Sequence, residues 1–153
     1  MATKRKKPTR SPKSGNSNGS LLEIAALRSN TKYQAAEQLR RKTGDAKLMA
    51  RASETSDEYA AVRLLIGTWE TIAMRYEAGG FTDDEFFRGL PIGYMWNALK
   101  DAIGIVRAAM GEKAGKEYAR SFQGLSNTYD AWRKKSDKQY DSGADSGIHA
   151  LFG

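Results

Sequence analysis

Between Tyr59 and Tyr76 the apolar residues Tyr59, Val62, Leu65, Ile66, Trp69, Ile72, Ala73 and Tyr76 return every three or four positions, so one face of a long helix must be buried. Thr55-Ser56-Asp57-Glu58 places a threonine three residues ahead of a glutamate, a capping-box pattern that predicts where this helix starts. Gly79-Gly80 offers a left-handed C-cap, after which Phe81 is expected to fold back onto the core. Thr82-Asp83-Asp84-Glu85 caps a short segment through Phe86 and Phe87, and Pro91 in Gly89-Leu90-Pro91 predicts a break. Ile92, Met95, Trp96, Leu99, Ile103 and Val106 then line a further helix as far as Gly111. Tyr118, Phe122, Leu125, Tyr129 and Trp132 give a final helix the spacing of a packing seam, which fits either an intramolecular neighbour or a second copy. Period-two alternation is missing throughout, so the expected fold is all-α: a single small bundle of about four to six helices.

Ahead of this core, Ser20-Leu21-Leu22-Glu23 reads as another capping box. Leu21, Ile24, Ala25 and Leu27 form an apolar stripe, and a second amphipathic stretch with Tyr33, Ala36, Leu39 and Arg40 follows Ser29-Asn30-Thr31, as two short helices or one bent one. Residues 1–19 are expected to be a disordered arm, 20–54 an N-terminal helical segment, 55–135 the core helices and 136–153 a loose tail with an apolar tip at Ile148, Leu151 and Phe152. The chain has no cysteine, which removes disulfides and thiolate ligands. It has no apolar run long enough to span a membrane, and we expect a soluble, cytoplasmic protein.

Charge is concentrated at the front. The arm carries Lys4, Arg5, Lys6, Lys7, Arg10 and Lys13 and no acid; without these six, nineteen basic side chains face eighteen acidic ones. Such an arm neutralises phosphates or docks on an acidic protein or lipid surface, and it has no aromatic residue for stacking on bases. Arg40, Arg41 and Lys42 extend the candidate nucleic-acid or acidic-surface contact into the helical region. The segment from Leu21 to Arg41 has the length of a helix-turn-helix, although its turn lacks glycine.

Catalytic chemistry finds few residues. His149 is the single histidine and stands in the tail without a neighbouring acid or nucleophile. Asp83, Asp84 and Glu85 follow Thr82 and read as first-turn acids suited to the helix dipole rather than as metal ligands. The stretches from Gly89 to Gly93 and from Gly111 to Gly115 lack the Gly-Lys-Ser/Thr ending of a phosphate loop and read as hinges. Glu70, beside Trp69 and seven residues from Arg63 and from Glu77, borders the apolar face. It reads chiefly as a structural carboxylate paired with a Lys, Arg, Trp or Tyr donor, the alternative being a functional acid. No catalytic residue, metal site or cofactor is assigned. The expectation is a non-enzymatic helical interaction or accessory protein that binds a protein partner or itself, the alternative being a nucleic-acid-binding accessory protein.

The run from Leu64 to Ala73 with its Trp69-Glu70 step, then Gly79-Gly80-Phe81-Thr82-Asp83-Asp84-Glu85, then Trp96, resembles a small helical domain family of bacteria and phages that has no established activity. The resemblance covers about residues 57–133. It implies a bacterial or phage origin and a helical fold, and supplies no catalytic residue. Many members of that family carry an apolar anchor at the front, where this chain has its basic arm.

Overall fold

A computed structural model of the protein describes the backbone of residues 14–142 and the side chains of residues 21–137. The described residues form eight helices and no strand: α1 (Ser14–Ser29), α2 (Thr31–Thr43), α3 (Ala46–Arg51), α4 (Asp57–Ala78), α5 (Asp83–Gly89), α6 (Ile92–Met110), α7 (Glu112–Glu117) and α8 (Arg120–Ser142). The all-α expectation holds, and the helices outnumber the four to six expected because two short ones, α3 after Gly44-Asp45 and α7 between Gly111 and Tyr118-Ala119, carry no apolar stripe long enough to mark them.

Helix α4 is the axis of the fold and packs against α2, α3 and α8. Its inward side chains Val62, Leu65, Ile66, Trp69, Ile72 and Ala73 are fully buried, as their spacing requires. Ser56 caps it, the hydroxyl accepting from the Tyr59 amide at 3.1 Å, so the cap sits one residue later than the Thr55 box implied. At its other end Gly79 (φ 93°, ψ 179°) and Gly80 (φ 100°) leave the helix through backbone conformations open essentially to glycine. Phe81 does turn back: its ring lies 4.8 Å from that of Phe86 in an edge-to-face contact. Around these two, Tyr76, Phe87, Tyr129 and Trp132 complete an aromatic cluster that ties α5 to α4 and α8.

The Thr82 capping box forms as read, with Thr82 Oγ1 accepting from the Glu85 amide and Glu85 accepting from the Thr82 amide. Pro91 stands between α5 and α6, and Ile92, Met95, Leu99, Ile103 and Val106 are buried along α6. Helices α1 and α2 are separate, divided by Asn30, whose side chain caps α2 through the Lys32 and Tyr33 amides. Ile24 is buried in the core, with Leu21 and Leu27 packed beside it, whereas Ala25 is exposed.

Three boundaries and the role of two glycines differ from expectation. Helix α1 begins at Ser14, so Ser20 lies within it and is not its cap, and residues 14–19 belong to a helix rather than to the arm. Once Leu21 to Leu27 nucleate a turn, each residue added at the front gains a backbone hydrogen bond, and this overrides weak local propensity. Helix α8 runs to Ser142, past the boundary at residue 135, because the polar stretch from Ser136 still contains no proline or glycine before Gly143. The seam from Tyr118 to Trp132 is not one helix: the chain turns at Tyr118 and Ala119, where Ala119 adopts φ 59°. Its residues from Phe122 onward pack within the protomer, Phe122 and Leu125 being buried and Tyr129 lying against Phe87. Finally, Gly93 and Gly115 are not hinges. A Cβ on Gly93 would sit 2.8 Å from a ring carbon of Tyr129, and one on Gly115 would sit 2.7 Å from the backbone oxygen of Arg107. Both glycines therefore permit close helix approach. The arm cations Lys4, Arg5, Lys6, Lys7, Arg10 and Lys13, together with His149 and the tip at Ile148, Leu151 and Phe152, lie outside the described residues.

Candidate functional site

Glu70 and Trp69 stand where α4 meets the start of α8. Ala119 occupies the N-cap position of α8 and has no side-chain acceptor, so the first amides of that helix need a partner from elsewhere. Glu70 provides it: one carboxylate oxygen accepts from the Ser121 amide at 3.1 Å and the other from the Phe122 amide at 2.8 Å. These are the second and third residues of the helix, the same amides a local Ser or Asp cap would take. The negative charge also complements the positive end of the helix dipole. The partners of Glu70 are thus backbone amides some fifty residues downstream rather than the basic or aromatic side chain expected.

Ala119 is buried, and an alanine in left-handed backbone costs about 1–2 kcal/mol. Two contacts hold it there. Arg107 Nε donates to the Tyr118 carbonyl at 2.9 Å on one side, and Glu70 secures α8 on the other. Replacing Glu70 with glutamine leaves one acceptor oxygen and sets an amide NH₂ against the second backbone N–H. We expect a loss of about 2 kcal/mol in urea unfolding, with solution binding properties unchanged. Loss of binding at unchanged stability would instead make Glu70 a functional acid.

Trp69 is fully buried. Its ring stacks on Phe122 at 5.8 Å, its Nε1 donates to Tyr33 Oη at 2.9 Å, and the Arg28 guanidinium lies 5.6 Å from its centre. Burial pushes the Tyr33 phenol above its ordinary range, which keeps it neutral as the acceptor. Trp69 thus couples α2, α4 and α8 and is closed to any partner.

The three basic residues of α2 separate. Arg40 is only 9% exposed. Its Nε and an Nη donate to the two oxygens of Glu37 at 2.7 and 3.0 Å, and its Nη2 also donates to Tyr94 Oη at 2.9 Å. Arg40 is accordingly withdrawn from the contact set proposed for phosphates or acidic surfaces, because it falls on the same helical face as Tyr33 and Ala36 and is consumed there. Glu37, three residues ahead, was the available signal. The guanidinium is held further above its ordinary range, first by the Glu37 hydrogen bonds. A recognition-helix reading of α2 loses its central cation.

Arg41 remains exposed while touching Glu37 at 3.3 Å, and Lys42 is exposed. Beyond Gly44, which closes α2 in left-handed backbone at φ 86°, Asp45 caps α3 through the Lys47 amide. The α2–α3 corner therefore turns Arg41, Lys42 and Arg51 outward with Lys47 half-exposed, and Asp45 is the single acid between residues 38 and 53.

The acidic cluster is spent on structure. Asp83 accepts from Tyr76 Oη at 2.6 Å, Asp84 from Trp132 Nε1 at 2.8 Å, and Glu85 closes the capping box. Burial, reinforced by Asp83, raises the Tyr76 phenol well above its usual range. Among the described residues, no group of three or more His, Asp or Glu is arranged to hold a metal ion. No described helix is long and apolar enough to cross a membrane.

Two clefts accompany these features. One of about 620 Å³ lies between α4 and α8, with Glu70, Met74, Glu77, Ser121 and Gly124 on its walls. The other, of about 310 Å³, lies between α6 and α8 beside Tyr94, Trp96, Asn97, Asp130 and Arg133. Compared with protein-family models, curated proteins and solved structures, the chain matches none of them.

Proposed function

We propose that the chain is a non-enzymatic helical interaction module that binds a protein partner or a second copy of itself, and that its basic arm attaches it to an acidic surface. The observation that carries this reading is the employment of the carboxylates drawn into the body. Glu37 is paired with Arg40, and Asp45, Glu70 and Glu85 each cap a helix. These four acids are spent on holding helices, while the cations of the α2–α3 corner face outward and add to those of the arm.

That corner also favours a second reading, nucleic-acid binding, in which Arg41 and Lys42 act with Lys4, Arg5, Lys6, Lys7, Arg10 and Lys13 on phosphates. Fluorescence anisotropy with a random-sequence duplex and with poly-glutamate, on the full chain and on a variant lacking residues 1–13, separates the two. A duplex reader that neutralises about six phosphates loses on the order of 10³ in affinity between 50 and 200 mM salt, and most of its binding with the arm. Arm-dependent binding to poly-glutamate without comparable binding to duplex supports the acidic-surface reading. Binding to neither overturns both roles of the arm.

A further inference from the structure

The outer face of α4 has the makings of a helix–helix seam with no described helix packed over it. Ala60, Leu64, Gly67, Thr71, Met74 and Ala78 recur at spacings of four, three, four, three and four, all are exposed, and none is charged. Alternation of three and four is the spacing that brings two helices together along a seam. Leu64 and Met74 are 38% and 54% exposed, large fractions for apolar side chains in the middle of a long helix. The threonine hydroxyls beside them are turned inward along the helix, Thr68 Oγ1 to the Leu64 carbonyl at 2.9 Å and Thr71 Oγ1 to the Gly67 carbonyl at 3.0 Å. The threonines are thereby left with satisfied hydroxyls and methyl groups.

Nothing packed around Gly67 requires a glycine there. A Cβ there would meet no atom within 4 Å, and the backbone is ordinary helix, so alanine would fit and would favour the helix. An open notch at mid-helix is what a protruding side chain from a facing helix fills.

The flanks of the seam indicate what that facing helix is. Asp57 and Arg75 are both exposed and stand nine residues to either side of Ile66. Their separation of eighteen residues is five full turns, so both lie along the same edge of the seam. Two antiparallel copies of α4 related by a two-fold axis level with Ile66 set each Asp57 opposite the second copy's Arg75, twice over. The same register brings each Leu64 to within one residue, about 1.5 Å along the helix, of the notch at the second copy's Gly67. Arg75 already pairs with Glu23 from α1, which fixes its position at the edge.

We infer that the chain forms an antiparallel two-fold dimer through the outer face of α4. This deepens the interaction reading proposed above, on which it rests, by naming a second copy as the partner. A single helix pair is a small interface, so the dimer is a reversible one, with a dissociation constant on the order of 10–100 µM.

The absence of cysteine makes the test direct. Gly67→Cys and Ala78→Cys each introduce one thiol at an exposed position. In the stated register the two thiols of a Gly67→Cys pair lie beside the two-fold axis, offset by only about 3 Å along the helices, whereas those of an Ala78→Cys pair lie about 36 Å apart, far beyond the roughly 7 Å between Cα atoms that a disulfide spans. Mild oxidation is expected to link Gly67→Cys into a dimer and leave Ala78→Cys monomeric. Sedimentation of the unmodified chain is expected to show dimer rising with concentration, and Leu64→Glu is expected to abolish it while melting unchanged in dilute solution. A chain that stays monomeric at several hundred micromolar, or that links as readily through Ala78→Cys as through Gly67→Cys, overturns the inference. If salt-sensitive, arm-dependent binding persists alongside a monomeric result, the dimer alone fails and the interaction reading stands.

Discussion

Replacing Trp69 with alanine is expected to lower the free energy of unfolding by about 3–5 kcal/mol, a large part of the total for a domain of this size. The side chain is fully buried at the meeting point of three helices, and its removal opens a cavity against Phe122 and strands the Tyr33 hydroxyl. Helices packed through one shared ring cannot collapse to fill that space without giving up their other contacts. Tyr33→Phe isolates the polar part of the effect, since it leaves the buried indole N–H without its acceptor and is expected to cost about 1–3 kcal/mol. Urea unfolding followed by circular dichroism checks both. A Trp69→Ala variant that unfolds within about 1 kcal/mol of the parent would mean the ring is not the keystone its burial implies.

Arg40→Ala is expected to lose about 3 kcal/mol, because it leaves the Glu37 carboxylate inside the fold with Arg41 as its remaining charged partner. The accompanying loss of the Tyr94 hydrogen bond and of the guanidinium lying 5.4 Å from the Tyr94 ring adds to this. Removing the pair together tells a different story. Glu37→Leu combined with Arg40→Met takes away both charges and keeps apolar volume, and it is expected to recover most of the stability. Arg41→Ala and Lys42→Ala, at exposed positions, are expected to shift stability by less than about 0.5 kcal/mol. The effect of each on duplex or poly-glutamate binding is read separately. If Arg40→Ala keeps the parent midpoint but weakens polyanion binding, Arg40 is a surface contact after all.

Much of this architecture was legible before any coordinates. The buried faces of α4 and α6 follow from three- and four-residue spacing, since a helix returns to the same side every 3.6 residues whatever surrounds it. The Thr82 capping box and the break at Pro91 are equally local, because each involves groups within a few residues along the chain. Boundaries were less secure where the deciding group was distant. Ala119 carries no cap of its own, so the start of α8 is visible only once Glu70 is known to reach it. On α4 the outward pattern of Ala60, Leu64, Gly67, Thr71, Met74 and Ala78 is weaker than the inward stripe of the same helix, and only the exposure of these side chains sets it apart.

The linear order of residues was enough to specify helices, most of their ends and which side of each turns inward, because propensity, capping and periodicity act over one or two turns. Tertiary packing alone decided what the polar groups are for. Arg40 left the basic surface for Glu37 and Tyr94, and Glu70 became the cap of a helix fifty residues away. Burial makes an unpaired charge or amide costly, so each such group takes whatever partner the packed helices bring within about 3 Å, and sequence distance has no say in which partner that is.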